Sequence, residues 1–223
     1  THTKSIDNFC NLIKNRKNTK ILYLSSGAVY GPQPNNIKKI KENYSSKIDY
    51  NISDYKYYYS KLKLYSESKI LNLSEYGVKT TIARCFSFIG PWLPRNKQYA
   101  IGNFLFDGFN RKKIKVKSNS KVFRSYMYVD DLIYWLFKMV INAKKKCNIY
   151  NVGSDETVSL HSVARIMGKI FNKPLKIRKT SYKKIDRYIP SIEKAKKELD
   201  LRINYNLKHS IYSTIKYDYE KIN

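Results

Sequence analysis

The order of apolar and polar residues predicts two helix-strand pairs in the first part of the chain. Residues 4–17 and 56–76 carry apolar residues at helical spacing, and each segment leads into a short apolar run. These runs, ILYL within 20–25 and TTIA within 79–85, are typical of parallel strands that are covered on both faces. The polar residues 31–54 predict an irregular connection between the pairs. The pattern therefore predicts an α/β fold.

Shorter elements are predicted after the Gly-Pro pair at 90–91. We expect helices at 99–110, 130–142 and 159–171, strands at 113–117, 147–152 and 175–179, and two basic helices within 191–200 and 207–221. No internal repeat or low-complexity linker separates these elements from the first part of the chain. The two parts are therefore expected to pack together.

Composition argues against several classes of protein. The longest mainly apolar stretch, 132–141, carries Lys138 and is far shorter than the roughly 18 apolar residues of a membrane span. The three cysteines, Cys10, Cys85 and Cys147, form no Cys-x-x-Cys motif or Cys/His cluster, which argues against a disulfide framework and a zinc site. We therefore expect a cytoplasmic protein with no membrane partner and no metal.

The net charge of +27, from 44 Lys and Arg against 17 Asp and Glu, raises the question of a nucleic-acid partner. The lysines are spread along the chain, with only short runs such as 144–146, and no recognisable DNA- or RNA-binding motif accompanies them. The excess falls on Lys, Asn, Ile and Tyr together, whose codons are A/T-rich, so genome composition explains the charge equally well. A basic nucleic-acid-binding protein is therefore the least favoured function class.

Three tyrosines in the segment YKYYYSKLKLYSESK, residues 55–69, each have a lysine four positions later. On a helix this spacing places both side chains on one face, where an ammonium group can favour a tyrosinate that acts as an acid or base. The couples are Tyr57/Lys61, Tyr59/Lys63 and Tyr65/Lys69. The same spacing recurs elsewhere, for example at Tyr134/Lys138, so the spacing alone selects none of them.

Six segments in a fixed order give the chain a more specific signature. They are LYLSSGAVYGPQP at 22–34, Tyr-x-x-Ser-Lys at 57–61, IARCFSFIGP at 82–91, RSYMYVDDL at 124–132, YNVGSDETVSL at 150–160 and DRYIPSIEKAKKEL at 186–199. This series resembles the extended short-chain dehydrogenases/reductases of the NAD-dependent epimerase/dehydratase family, which act on nucleotide sugars. The resemblance implies the C-terminal part of a Rossmann-like parallel sheet with a smaller α/β substrate-binding region. It divides the chain into 1–88, the second half of the cofactor-binding domain, and 89–223, mainly the substrate region.

The family's opening β-α-β unit, with its Gly-x-x-Gly-x-x-Gly turn for the cofactor pyrophosphate, has no counterpart in the chain. The chain also begins on a predicted helix, without an initiator Met or a signal-peptide pattern. We therefore expect a fragment or a truncated gene. The residue that distinguishes NAD from NADP at the cofactor ribose would lie in that unit. The resemblance therefore implies NAD or NADP without choosing between them.

The resemblance implies catalytic roles for three residues. Tyr57 would be the acid or base at the sugar hydroxyl or ketone, and Lys61 its electrostatic partner and a ligand of the nicotinamide ribose. Ser26 would orient the substrate oxygen. Ser26 rather than Ser25 aligns with the family when the count starts from the Val-Tyr-Gly at 29–31. Ser25, Tyr57 and Lys61 would also contact the cofactor.

Position on the predicted helix favours Tyr57 over its rivals. Tyr65 lies about 12 Å further along the helix, away from the carboxyl ends of the strands, where ligands of such sheets bind. Tyr59 is rotated about 200° from Tyr57, and Lys63 has no serine before it. We therefore predict that Tyr57 faces the site and that Tyr59 faces away from it.

The resemblance places Ser26, Ser87, Arg124 and Arg187 at the nucleotide sugar. The two arginines match positions that hold the nucleotide diphosphate, and guanidinium groups suit phosphate oxygens. Ser87 stands where many relatives carry an Asn that contacts the diphosphate. The expected partner is therefore a nucleotide-sugar substrate.

Gly27 and Ala28 follow Ser26 at the place where the family's 4,6-dehydratases carry Asp-Glu, the acid and base for eliminating water. Neither side chain present here can move a proton. The resemblance therefore implies an NAD(P)-dependent nucleotide-sugar epimerase or 4-ketoreductase of surface polysaccharide or sugar biosynthesis, working as a homodimer. The alternative is a truncated, non-catalytic remnant or a partner subunit of the same family.

Overall fold

The computed structural model describes residues 2–45, 53–95, 97–118, 120–178 and 184–222. Its helices are α1 (His2–Ile13), α2 (Asp54–Asn72), α3 (Ala100–Asn110), α4 (Val129–Ile141), α5 (Leu160–Ile170), α6 (Glu193–Leu199) and α7 (Leu207–Ile222). Its strands are β1 (Lys20–Ser26), β2 (Lys79–Cys85), β3 (Phe88–Ile89), β4 (Ile114–Val116), β5 (Lys121–Arg124), β6 (Met127–Tyr128), β7 (Asn148–Val152), β8 (Val158–Ser159), β9 (Leu175–Ile177) and β10 (Ile185–Tyr188). Each predicted helix and strand has a counterpart. Residues 46–52 of the predicted irregular segment and residue 179 of a predicted strand lie outside the described residues.

The first sheet is parallel and has the strand order β1-β2-β7. Its register pairs Lys20 with Lys79 and Ser26 with Cys85, so β1 and β2 begin and end at the same level. The carboxyl ends of the two strands therefore lie side by side. This edge of a parallel sheet is where ligands bind in open α/β folds.

Helices cover both faces of the first sheet. Successive residues of a strand point to opposite faces, and on β2 Ile82 packs with Cys10 of α1 and Ile70 of α2. Its neighbour Ala83 packs with Trp135 of α4 on the other side. The apolar strands predicted from the sequence are thus buried between two helical layers, and the predicted α/β fold is confirmed.

Strand β1 is hydrogen-bonded to one neighbouring strand only, among the described residues, and Leu24 on it is 48% exposed. Strand β7 on the far side comes from the part of the chain assigned mainly to substrate binding, yet it pairs with β2. The chain therefore returns to the first sheet after β3. A domain boundary at residue 88 does not separate this sheet from the rest of the fold.

Among the described residues, three small sheets form the second part of the fold. Strand β5 lies between β10 and β8, β3 pairs with β6, and β4 pairs with β9. Helices α3, α5 and α7 contribute to the core beside them, which includes the fully buried Leu105, Ile114, Met167 and Ile211. The strands that the sequence pattern did not predict are two to four residues long, too short for a period to show.

Helix α4 contains the apolar stretch 132–141 noted in the sequence. Its residues Trp135 and Met139 are buried, whereas Ile133 and Phe137 are exposed, so one side of the helix packs on the sheet. No helix of the described part of the chain is long and apolar enough to cross a membrane.

Candidate active site

A cleft of about 640 Å³ lies at the carboxyl ends of β1 and β2, bordered on the other side by β5 and β10. Its polar lining includes Ser25, Ser26, Tyr59, Ser87, Arg124 and Tyr188. Neither Asp nor Glu occurs among the described residues that line it. The position at the strand ends and the set of hydroxyl groups make this cleft the candidate active site.

Ser26 is the last residue of β1, where the backbone turns into the 3-10 turn Gly27–Tyr30. Its Oγ accepts a hydrogen bond from the backbone N–H of Ala28 at 3.1 Å and so caps the turn. A hydroxyl that accepts a hydrogen bond keeps its own proton available for another acceptor. Ser26 therefore lies at the cleft, and its contact with Ala28 does not use its hydroxyl proton.

Ser25 also borders the cleft, but its hydroxyl donates to Oε1 of Glu67 on α2. Glu67 in turn forms an ion pair with Arg84 of β2, and all three residues are buried. A buried ion pair is stable only when its geometry and hydrogen bonds are well satisfied. Ser25 thus helps to tie β1 to α2, and its contact with a cofactor stays a prediction.

Tyr59, Lys63 and Glu67 are spaced by four residues along α2 and share one face of the helix. Nζ of Lys63 donates to the backbone oxygen of Leu24 at 2.9 Å and lies 5.9 Å from the centre of the Tyr59 ring. The Tyr59 side chain lines the cleft. The Tyr/Lys couple that the structure brings to the candidate active site is therefore Tyr59/Lys63.

Tyr57 and Lys61 lie elsewhere on α2. Nζ of Lys61 is 5.6 Å above the Tyr57 ring, and neither residue is among the described residues that line the cleft. Ser60 of the same motif is buried and donates to the backbone oxygen of Ala28. The expectation that Tyr59 faces away from the site was wrong, because the motif does not fix how the helix is rotated on the sheet. The catalytic roles of Tyr57 and Lys61 stay predictions, and the geometry does not support them.

The third couple, Tyr65 and Lys69, holds two helices together. The hydroxyl of Tyr65 donates to the carboxylate of Asp7 on α1 at 2.8 Å, and Nζ of Lys69 lies 3.1 Å from the same group. These two contacts lower the pKa of Asp7. Tyr65 therefore lies at the contact between α1 and α2. This agrees with the argument from the sequence that Tyr65 is too far along the helix to reach the site.

Ser87 and Arg124 line the cleft, as expected for residues near a substrate. The guanidinium of Arg124 is paired with Asp186, with Nη2 to Oδ2 at 2.7 Å and Nη1 to Oδ1 at 3.1 Å. Asp186 therefore fixes the orientation of Arg124 and balances part of its charge. That Ser87 and Arg124 contact the diphosphate of a nucleotide sugar stays a prediction.

Arg187 does not reach the cleft. Its neighbour Tyr188 on β10 lines the cleft, and successive strand residues face opposite ways. The Arg187 guanidinium lies 4.7 Å above the Phe123 ring, and its buried Nε has no hydrogen-bond partner among the described residues. The geometry thus gives no support to a contact between Arg187 and a nucleotide diphosphate.

Cys85 and Tyr188 are among the lining residues that the sequence did not point to. Burial raises the pKa of the Cys85 thiol to about 12, so this group stays protonated at neutral pH. Tyr188 packs its ring against Phe86, with ring centres 4.5 Å apart, and burial also raises the pKa of its hydroxyl. Tyr188 could have been found from the sequence because it follows Arg187 on a strand. Only one of two successive strand residues can face the site, so Tyr188 was the alternative to Arg187.

Comparison with protein families gives a match to the model of the NAD dependent epimerase/dehydratase family over residues 2–153. A curated relative, the dTDP-D-glucose 4,6-dehydratase of Dictyostelium discoideum, is 28% identical over 168 residues. The matched part covers 71% of this chain and 36% of that protein. This chain therefore spans little more than a third of the length of the curated relative.

Solved structures share the fold. The dTDP-glucose 4,6-dehydratase of Bacillus anthracis in complex with NAD superposes with a TM-score of 0.80 at 19% identity, covering 97% of this chain and 66% of that one. RMD from Pseudomonas aeruginosa complexed with NADPH gives a TM-score of 0.74 at 21% identity, covering 91% and 66%. The predicted Rossmann-like fold is thereby confirmed, and this chain spans about two thirds of those chains.

Proposed function

The chain belongs to the NAD dependent epimerase/dehydratase family, and from this premise we propose that it is the catalytic part of an NAD(P)-dependent nucleotide-sugar 4-epimerase or 4-keto-sugar reductase. One observation carries the proposal: the hydroxyls of Ser26 and Tyr59 face one cleft, and no carboxylate occurs among its described lining residues. Hydroxyl groups suit the transfer of one proton to or from a sugar ketone or alcohol.

Tyr59 has the role of acid or base in this proposal. When a sugar alcohol is oxidised, the phenolate oxygen of Tyr59 accepts the hydroxyl proton; when a ketone is reduced, the phenol returns it. The ammonium group of Lys63 lies 5.9 Å from the centre of the Tyr59 ring. Ser26 donates a hydrogen bond to the same substrate oxygen and holds it beside Tyr59.

The residues of this chain fit the nicotinamide end of the cofactor. Bound NAD or NADPH would accept or supply the hydride. Lys63 reaches from α2 to the carboxyl end of β1 at Leu24. In this proposal Tyr59 and Lys63 would hold the nicotinamide ribose. The chain contains no Gly-x-x-Gly-x-x-Gly turn, so its residues account for this end of the cofactor only.

The same cleft favours epimerisation or ketone reduction over dehydration. Elimination of water from a sugar needs an acid and a base at the carbons that lose hydroxide and proton. Gly27 and Ala28 supply neither group beside Ser26. A substrate nucleotide sugar would meet Ser87 and Arg124, which line the cleft beyond the two hydroxyls.

A non-catalytic partner subunit is the second candidate. The observation in its favour is β1, which has one partner strand among the described residues and exposes Leu24. We also propose a homodimer through the outer faces of α1 and α2, where Phe9, Leu12 and Tyr58 are exposed. Dimerisation fits both candidates, whereas binding of NAD(P) and turnover fit only the enzyme.

The test uses the product of the complete reading frame that contains this chain. The purified protein is incubated with UDP- and dTDP-hexoses to detect epimers, and with 4-keto sugar nucleotides to follow oxidation of NADH and NADPH. Turnover of at least one class is expected, together with binding of NAD or NADP. A folded protein that binds neither cofactor would exclude the enzyme and support the partner subunit.

A further inference from the structure

We propose that helix α7 sets the substrate affinity of the cleft by holding the loop between β3 and α3, and that Arg95 and Asp218 are the positioning residues of this contact. This wall loop is described at residues 90–95 and 97–99. The inference rests on the proposed function, because it takes the cleft as the place where a nucleotide sugar binds. None of the described lining residues of the cleft lies on α7, so the helix acts through the loop.

The wall loop forms part of the cleft surface. Its lining residues are Leu93, Pro94, Gln98 and Tyr99. The proposed reacting groups, on Ser26 and Tyr59, belong to β1 and α2 instead. A shift of the loop would therefore change the contacts that bind a substrate, while the reacting groups keep their places.

The backbone of the wall loop has an unfavourable conformation at Trp92. Its φ of +66° lies in the left-handed region, which a bulky side chain seldom adopts. Such a conformation persists only where the surrounding structure holds it. The Trp92 ring packs edge to face against Tyr217 of α7, with ring centres 5.8 Å apart and planes at 68°. Contact with α7 therefore helps to hold a loop shape that the backbone alone disfavours.

An ion pair joins the same loop to α7. Nη2 of Arg95 donates to Oδ2 of Asp218 at 2.6 Å, and the two side chains are only 22% and 21% exposed. Nη1 of Arg95 donates to the backbone oxygen of Leu93, which lines the cleft. Hydrogen bonds between ionised groups are stronger than neutral ones. One guanidinium group thus connects the helix to the backbone of the cleft wall.

The two elements that hold the wall loop are themselves fixed. Leu207, Ile211 and Ile215 of α7 are buried in the core of the second part of the fold. On α3, a Cβ atom at Gly102 would clash with the backbone oxygen of Pro94, so the loop lies directly against that helix. The loop is therefore held by α3 through close packing and by α7 through a charged contact that one substitution can remove.

The test compares two acidic residues of α7 in the complete protein, with the nucleotide sugar that it turns over. Asp218→Asn removes the charge that pairs with Arg95 and keeps the size of the side chain. We expect KM for the nucleotide sugar to rise about 10-fold, the equivalent of one charge-assisted hydrogen bond, while kcat changes less than about 2-fold. Glu220→Gln, on an exposed side chain paired with Lys216, is the matched control and should leave both constants within about 2-fold.

A double-mutant cycle shows whether the two positioning residues act as one contact. Arg95→Gln alone should also raise KM about 10-fold, whereas in the Asp218→Asn background it should add less than about 3-fold. Three results would overturn the inference: an unchanged KM in Asp218→Asn, a loss confined to kcat, or an equal rise of KM in Glu220→Gln. A contact that only stabilised the fold would give the second of these results.

Failure of the proposed function is recognised separately. If the intact protein turns over no nucleotide sugar, that function fails, and the hold of α7 on the loop is measured by limited digestion with trypsin. Cleavage of the peptide bond that follows Arg95 should then be at least about 3-fold faster in Asp218→Asn than in Glu220→Gln, because a released loop opens more often. Mass spectrometry of the fragments gives the rates, and equal rates in the two variants would refute the contact.

Discussion

Glu67 of α2 and Arg84 of β2 form a buried, two-pronged ion pair, with Nε to Oε1 at 3.0 Å and Nη2 to Oε2 at 2.7 Å. Glu67 lies four residues after Lys63 and eight after Tyr59, on the same face of the helix. The pair therefore fixes how α2 is rotated on the sheet. This rotation directs Tyr59 toward the cleft, whereas Tyr57 is not among the described residues that line it.

The first prediction separates the two tyrosines. Tyr59→Phe should lower kcat at least about 100-fold, because it removes the proposed proton donor and acceptor. Tyr57→Phe removes the same atom two residues away and should stay within about 2-fold of the intact protein. Steady-state kinetics with the nucleotide sugar identified for the complete protein measures both. Equal losses in the two variants, or a greater loss in Tyr57→Phe, would return the role to Tyr57.

The second prediction concerns the ion pair. Glu67→Gln leaves the buried guanidinium of Arg84 without its charge partner and should lower the free energy of unfolding by about 3 kcal/mol. Replacing both groups, with Glu67→Gln and Arg84→Met together, should cost less than Glu67→Gln alone, since no buried charge remains. Urea unfolding monitored by circular dichroism gives the values. A single variant as stable as the intact protein would show that the pair does not hold α2.

The third prediction tests the space above Gly27. Gly27→Ala should destabilise the protein by about 1–3 kcal/mol, because the new methyl group would push on Phe86 and Tyr188. Gly77→Asn is the comparison: its φ of +81° is a conformation that Asn tolerates, and a Cβ atom there would meet only the flexible Lys17 side chain, at 3.9 Å. We expect less than about 1 kcal/mol there. Thermal or urea unfolding that ranks the two variants in the reverse order would refute the steric explanation.

The fourth prediction concerns alkaline pH. Tyr30 is buried and donates to Oδ1 of Asn151 at 2.8 Å, and burial raises the pKa of Tyr30 to about 12. In the unfolded chain a tyrosine ionises near pH 10. The unfolded state therefore loses its proton first, and the contribution of protonated Tyr30 to stability, complete below about pH 10, is lost as the pH rises toward about 12.

The variant Tyr30→Phe cannot ionise, so it isolates this effect. Between about pH 10 and 12 its free energy of unfolding should fall less steeply than that of the intact protein, by up to about 1.4 kcal/mol per pH unit. Its stability at neutral pH is lower because the hydrogen bond to Asn151 is gone. Urea unfolding at several pH values gives the slopes, and parallel slopes would contradict a raised pKa of Tyr30.

The sequence determined the elements that a local pattern can encode. Apolar runs such as 79–85 predicted parallel strands, and helical spacing predicted the helices between them. The order of short motifs indicated the family, and counting back from the Val-Tyr-Gly at 29–31 placed Ser26 at the end of β1, where the cleft opens. Each of these inferences depends on residues close together in the chain.

Tertiary structure decided which side chains meet at the cleft. Three Tyr/Lys couples have the same spacing on α2, and the choice among them depends on the rotation of the helix, which Glu67 sets by pairing with Arg84 on another strand. The choice between Arg187 and Tyr188 likewise depends on which face of β10 meets the cleft. Spacing along a chain fixes the angle between side chains on one element; only contacts with other elements fix where that element points.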